Sequence, residues 1–234
     1  MTKINDILKK TKIKLLLISF THNPTTLTVD QIFYDSLIEL AEEYGFLIVN
    51  DFAYSDVYFE KNKPPSLLAS DKNLKHSVEL YSLTKGYSMA GWRVGFAVGN
   101  SDAVGALTKL KSYIDYGTFQ PIQIASTVAL NELDDYPFEL STVYKERRDL
   151  VQEYLEDLEF IVQESDATMF VWAKLPKRFN KDSLKFSLDI LEKSNVAISP
   201  GIGFGKFGEG HIRIALVENK QRIRQAMKNI KAAL

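Results

Sequence analysis

Phe33-Tyr-Asp-Ser-Leu37-Ile-Glu-Leu40-Ala41-Glu-Glu-Tyr44-Gly45-Phe46-Leu47-Ile48-Val49-Asn50-Asp51 is the stretch whose reading decides the fold. Phe33, Leu37, Leu40, Ala41 and Tyr44 recur at the spacing that lines one face of a helix. Gly45 then offers the left-handed residue on which helices commonly end. Four apolar residues follow without alternation, as expected of a strand buried on both faces. The pattern extends outward in both directions. Residues 13–19 read as a strand before this helix, and 78–82 and 94–98 as two strands after it. Strands apolar on both faces and separated by helices predict an α/β chain with a mostly parallel sheet covered on two sides.

Past residue 100 the chain turns helical. Leu140, Val143, Tyr144, Val151, Tyr154, Leu155 and Leu158 mark one long amphipathic helix. Short strands near 168–173, 196–198 and 211–216 and helices near 182–193 and 219–232 follow, with Ile223, Ala226, Met227 and Ile230 on the inner face of the last. The expected organisation is a large domain over 1–138 and a smaller C-terminal α+β domain over 139–234, joined through the long helix.

Composition narrows the function classes. The 234 residues carry 29 Lys plus Arg against 30 Asp plus Glu, a formal net charge of -1, so no basic excess points to nucleic acid. Cysteine is absent, which excludes disulfides, thiolate metal sites and a cysteine nucleophile. His22, His76 and His211 show no metal-ligand spacing, and no metal is expected. The basic N-terminus lacks the long apolar stretch and small-residue cleavage site of a signal peptide, and no run approaches the roughly 20 apolar residues of a membrane span. A cytoplasmic setting is the expectation.

In open α/β sheets, ligands bind beyond the carboxyl ends of the strands. The first strand runs into Thr21-His22-Asn23-Pro24-Thr25, the second ends at Asn50-Asp51 followed by Ala53-Tyr54, and the third ends at Ser82 followed by Thr84-Lys85. An amide, a carboxylate with a phenol, and an amine with a hydroxyl suit an anionic cofactor bearing a basic ring nitrogen. Lys85 reads either as a solvated loop lysine or as a Schiff-base lysine. Asp51 reads either as a helix N-cap or as a partner for that nitrogen. Asn23-Pro24 alone is a common turn, and Arg213 alone a strand-edge arginine. Gly203-Phe-Gly205-Lys-Phe-Gly208 fits G-x-G-x-x-G by letter. It follows Pro200 and precedes a strand, so it reads as a glycine-rich loop near the active site and not as a dinucleotide fingerprint.

Ser82-Leu-Thr-Lys85-Gly-Tyr-Ser-Met-Ala-Gly91-Trp92-Arg93-Val-Gly95 resembles the segment around the cofactor lysine of class I/II pyridoxal-phosphate aminotransferases of fold type I. Asn23-Pro24-Thr25, Asp51-Phe-Ala-Tyr54 and Ile212-Arg213-Ile-Ala are similar to three further elements of that family, in family order. The resemblance implies pyridoxal 5′-phosphate bound to Lys85, which also carries the transferred proton. It implies Asp51 on the pyridine nitrogen, and Asn23 and Tyr54 on the phenolic oxygen. Ser82 and Arg93 would bind the phosphate with support from Thr84, and Arg213 the substrate α-carboxylate, with Asn23 also in the substrate-binding set. His22 would approach the cofactor, while His76 and His211 would be structural.

Lys111-Ser-Tyr-Ile-Asp-Tyr-Gly117-Thr118-Phe119 and the run from Ser199 to Arg213 resemble the bacterial glutamate–pyruvate (alanine-forming) aminotransferases, and also relatives named for aspartate or LL-diaminopimelate. Amino transfer between glutamate and a small 2-oxo acid, pyruvate first, is the expected reaction. A catalytically silent remnant acting as a binding module and a C–S lyase stay open beside it. Thr26 stands where many members carry glycine. Relative to the family, the sequence enters at the strand before Asn23, so the front of the large domain is expected to be missing, with an edge and apolar faces exposed. A homodimer is expected, or a second chain that supplies the N-terminal part. The Gly117-Thr118-Phe119 loop is expected to reach a neighbouring subunit's site.

Overall fold

The computed structural model describes residues 1–59, 63–179 and 182–234. Two compact units form: residues 1–21 with 28–138, and residues 22–27 with 139–234.

The first unit is built on a four-stranded sheet in the order β1 (Leu15–Ser19), β2 (Leu47–Asp51), β3 (Ser77–Ser82), β4 (Gly95–Gly99). The first three strands are parallel, with Ser19 opposite Asp51 and Asp51 opposite Leu80. β4 runs antiparallel to β3 and places Gly95 opposite Ser82. Helix α1 (Thr2–Leu8) precedes β1, and α2 (Gln31–Tyr44) connects β1 to β2. Asp30 caps α2 by accepting the Phe33 N–H, and Gly45 ends it at φ 70° with its N–H on the Ala41 carbonyl. Tyr34, Leu37, Ile38 and Ala41 of α2 pack on Phe46, Ile48 and Leu67, with Leu16 and Ile18 at the margin. Leu16, Ile18 and Ile48 share one face of the sheet. Burying these side chains is the dominant favourable term in holding helix to sheet.

The short helix α3 (Leu83–Gly86) follows β3 directly, and α4 (Ser101–Ile114) and α5 (Gln120–Glu132) follow β4. The expectation of a sheet covered on both sides is corrected. Leu15 and Leu17 on β1 are 51% and 66% exposed, and Phe96 and Val98 on β4 are each 42% exposed. Leu15 and Leu17 lie on the face opposite α2, whereas Phe96 and Val98 lie on the α2 face of the other edge strand, outside the packed cluster.

The second unit holds α6, whose full span is Tyr136–Asp157, and an antiparallel sheet in the order β5 (Ile161–Val162), β6 (Phe170–Lys174), β8 (His211–Ala215), β7 (Ser199–Pro200). α7 (Ser183–Ser194) and α8 (Lys220–Ala233) complete it. Its buried residues include Val151, Leu155, Trp172, Phe186, Ile190, Ile212, Leu216 and Met227. Residues 22–27 differ from a simple cut at 138. They are held in the second unit by long-range bonds, Arg213 to Asn23 and Thr26 to the Glu164 carbonyl. Thr26 is buried with φ 63°, a left-handed conformation that favours glycine. Among the described residues no helix is long and apolar enough to cross a membrane.

Candidate active site

Strand register places Asp51 and Ser82 on the same face of the first sheet, at the carboxyl ends of neighbouring strands. Ser19 Oγ donates to the Asp51 carbonyl at 3.3 Å, tying β1 to the same end. Asp51 Oδ1 accepts the Ala53 N–H at 3.2 Å, so the carboxylate shapes the turn that leads to Tyr54. A carboxylate accepts several bonds, so this turn does not exhaust it. Ser82 Oγ accepts the Thr84 N–H at 3.2 Å and starts α3. Its hydroxyl hydrogen is a separate donor.

Lys85 lies in α3, half-buried, with Nζ 5.4 Å from the centre of the buried Tyr54 ring. Gly86 beside it is required by close approach: a Cβ there would come within 2.9 Å of Asp56 Cβ. Asp56 takes a short hydrogen bond from Tyr81 Oη and a 3.0 Å contact from Lys63 Nζ. Burial, then the Asp56 bond, pushes the Tyr81 phenol far above its usual range. Arg93 sits at φ 54°, exposed, with one Nη donating to the Ala90 carbonyl at 3.2 Å.

The sequence pattern did not reveal what lies on the opposite face from Asp51. Asn50 is fully buried; its Nδ2 donates to Tyr34 Oη and Glu79 Oε1, both at 3.1 Å, and its Oδ1 accepts the Phe20 N–H at 3.3 Å. Glu79, also buried, accepts from Ser66 Oγ at 2.6 Å and the Leu67 N–H at 2.7 Å. The network fixes the end of β2 from below. Its sequence signal was Asn50 directly after the apolar run 46–49. Thr21 Oγ1 and Ser55 Oγ, just past the ends of β1 and β2, are buried with no hydrogen-bond partner among the described residues.

Arg213 and Asn23 come together in the second unit. Arg213 Nη1 donates to Asn23 Oδ1 at 2.8 Å, and Nη2 lies 3.4 Å from Ser199 Oγ on β7. The guanidinium carbon is 4.2 Å from the Phe170 ring centre and 4.5 Å from that of Phe204. Neither phenylalanine was picked out from the sequence; Phe204 sits inside the glycine-rich loop. That loop forms two turns of 3₁₀ helix, Gly201–Phe204 and Lys206–Gly208, and opens no α-helix. His22 Nδ1 lies 2.7 Å from Thr25 Oγ1 in this unit, and burial holds its pKa below the usual value. His76 contacts the Phe46 carbonyl, and His211 stacks on Trp172.

The donor set of the first unit matches the needs of a phosphorylated pyridine aldehyde. It offers an amine beside a phenol, a carboxylate for a ring N–H and a hydroxyl for a phosphate, while the exposed Arg93 guanidinium donates to the Ala90 carbonyl. The second unit offers a guanidinium packed against two phenylalanine rings, a group suited to paired recognition of a carboxylate.

Comparison with known proteins agrees with this chemistry. The family model described as aminotransferase class I and II matches residues 1–230. Over 222 residues the chain is 41% identical to a glutamate–pyruvate aminotransferase of Escherichia coli, covering 94% of this chain and 54% of that protein. It is 42% identical over 217 residues to an LL-diaminopimelate aminotransferase of Natranaerobius thermophilus, covering 93% and 56%. The fold matches a probable N-succinyldiaminopimelate aminotransferase from Thermus thermophilus with a TM-score of 0.90 at 33% identity, covering 98% of this chain and 60% of that one. The chain thus spans about half the length of the curated relatives it matches. With the lysine segment, the Asp51 turn and the Arg213 strand all in family order inside that match, the chain belongs to the class I and II aminotransferase family.

Proposed function

We propose that the chain serves pyridoxal-phosphate-dependent amino transfer between glutamate and a small 2-oxo acid, pyruvate first. The observation that carries this reading is Lys85, half-buried against Tyr54 and following Ser82, with Asp51 on the same face one strand away. The cofactor, when bound, supplies an aldehyde for amine exchange and a ring that draws electrons from the substrate Cα.

The chain's residues supply the rest. Lys85 Nζ would hold the cofactor aldehyde and, as a free amine, would carry the proton of the substrate Cα to the cofactor carbon that bore the aldehyde. Asp51 would hold the proton on the ring nitrogen through its charge. Tyr54 and Asn23 would orient the ring through its phenolic oxygen. The Ser82 hydroxyl donates to the phosphate, with Thr84 in support, and Arg93 adds charge-assisted bonds. Arg213 grips the substrate α-carboxylate in a fork that lysine does not provide. The protein works in the cytoplasm as a homodimer, or with a second chain that supplies the N-terminal part of the family fold.

A second reading, transfer from LL-diaminopimelate, is favoured by the relative of that name at 42% identity. Borohydride reduction of the cofactor-loaded protein followed by peptide mapping is expected to place a pyridoxyl group on Lys85. K85A is expected to lose the label and roughly 10²–10⁴-fold in turnover. No label and no absorbance after adding cofactor would favour a silent binding module. Activity with diaminopimelate but with no glutamate/2-oxo-acid pair would select the second reading. Pyruvate released from cystathionine would select a C–S lyase.

A further inference from the structure

We propose that Phe204 is a positioning residue: with Phe170 it clamps the Arg213 guanidinium and thereby sets the affinity for substrate carboxylates. The inference rests on the reading of Arg213 as the carboxylate-binding group.

The clamp has two unlike jaws. Phe170 lies on β6, 6% exposed and fixed by the sheet. Phe204 comes from the glycine-rich loop and remains 39% exposed. So open a position contributes little to the core, yet the ring is held in place. It meets Trp172 edge-on at 5.9 Å and 81°, and Trp172 stacks on His211 at 5.2 Å and 5°.

The loop is anchored at both ends. A Cβ on Gly201 would lie 2.0 Å from the Gly208 carbonyl oxygen, and one on Gly208 would lie 2.1 Å from that of Gly201. Only two glycines let these backbones meet. Gly205, at φ +110°, turns the chain directly after Phe204. The Ile202 N–H donates to Ser183 Oγ at 3.1 Å and ties the loop to the start of α7. The letters that imitate a phosphate loop therefore build a mount for one phenylalanine.

A cation between two rings is attracted by both quadrupoles. With rings packed against it, the guanidinium presents its in-plane N–H edge to an oxygen, the direction of bidentate carboxylate pairing. Asn23 and Ser199 fix the rotation within that plane. Removing the Phe204 ring takes away one of these two contacts and frees the group to tilt. The carboxylate then pairs with a less ordered fork.

The test compares F204L, F204W and R213K with the parent protein. KM and kcat are measured for glutamate and pyruvate in the cofactor-loaded enzyme. Calorimetry measures 2-oxoglutarate binding to the cofactor-free protein. F204L is expected to raise both KM values and the Kd about tenfold with kcat little changed, the sign of lost uniform binding. F204W, which keeps an aromatic face, is expected to stay near the parent. R213K is expected to exceed F204L in the same direction. If R213K raises these constants and F204L does not, the clamp is overturned while the reading of Arg213 stands. If F204W is as impaired as F204L, the aromatic face is not the cause and the clamp is again overturned. If R213K changes nothing, or the parent neither binds nor turns over these ligands, the reading of Arg213 falls and takes the clamp with it.

Discussion

Asp71 shows how a single buried charge is made stable. It is 4% exposed, and burial alone would raise its pKa. Three donors reverse that: the His76 N–H at 2.7 Å, Ser77 Oγ at 2.8 Å and the Lys75 N–H at 3.1 Å. The net shift is downward from the ordinary value of 3.8. The folded form therefore holds its proton less tightly than the unfolded form. The resulting stability is complete above pH 3.8 and is lost as pH falls through the lower folded value. D71A removes the acceptor from three donors and is expected to cost about 2–4 kcal/mol near pH 7. Urea midpoints at pH 7 and pH 3 check it. A deficit that shrinks at pH 3 supports the charge; one that stays constant assigns the loss to packing. The acidic letter was plain in the sequence, but its partners were not. Capture of two following backbone N–H groups depends on a turn the composition does not specify. The same limit hid the Asn50–Glu79 network and the Phe170–Phe204 clamp, because a phenylalanine in a strand or loop looks like any core residue.

At the scale of elements, two glycines separate conformational strain from steric conflict. Gly45 ends α2 at φ +70° with open space where a Cβ would go. Gly99 ends β4 at φ +141°, and a Cβ there would lie 2.2 Å from the Ser77 carbonyl oxygen. G45A is expected to cost about 1 kcal/mol, the price of a left-handed alanine. G99A combines an unfavourable dihedral with collision against β3 and is expected to be less stable than G45A by a further 2 kcal/mol or about that. Denaturant midpoints of the two variants decide it; equal losses would mean that the strands separate to make room. Gly45 was legible because helix period and helix stop agreed. The parallel strands were legible because each is a short apolar run between helices. The antiparallel direction of β4 was not, since a Gly-rich apolar strand reads alike in either direction. Nor was the transfer of residues 22–27 to the second unit. It rests on a bond between Asn23 and Arg213, which lie 190 positions apart.

At the scale of the whole molecule, the first unit presents apolar side chains outward from its sheet edges and from α4. Leu15 and Leu17 stand out from one face of the sheet at one edge, and Phe96 and Val98 from the other face at the opposite edge. α4 buries none of its residues; Leu107, Leu110 and Ile114 lie along one helical face and are 47%, 58% and 69% exposed. Monomeric proteins rarely expose contiguous apolar patches beyond a few hundred Å². The net charge of -1 supplies little electrostatic repulsion to oppose contact. The 234-residue chain, purified alone, is therefore expected to self-associate, with light scattering per unit mass rising with concentration. L110K with I114K puts two charges on the exposed face of α4, and L17K puts one on the β1 edge. None of these side chains is buried, so folding is expected to survive while association weakens. A reduction by the α4 pair alone assigns the contact to the helix, and a reduction by L17K alone assigns it to the sheet edge. A parent chain that stays monomeric across the concentration series would show that scattered apolar side chains on these surfaces do not act as one patch.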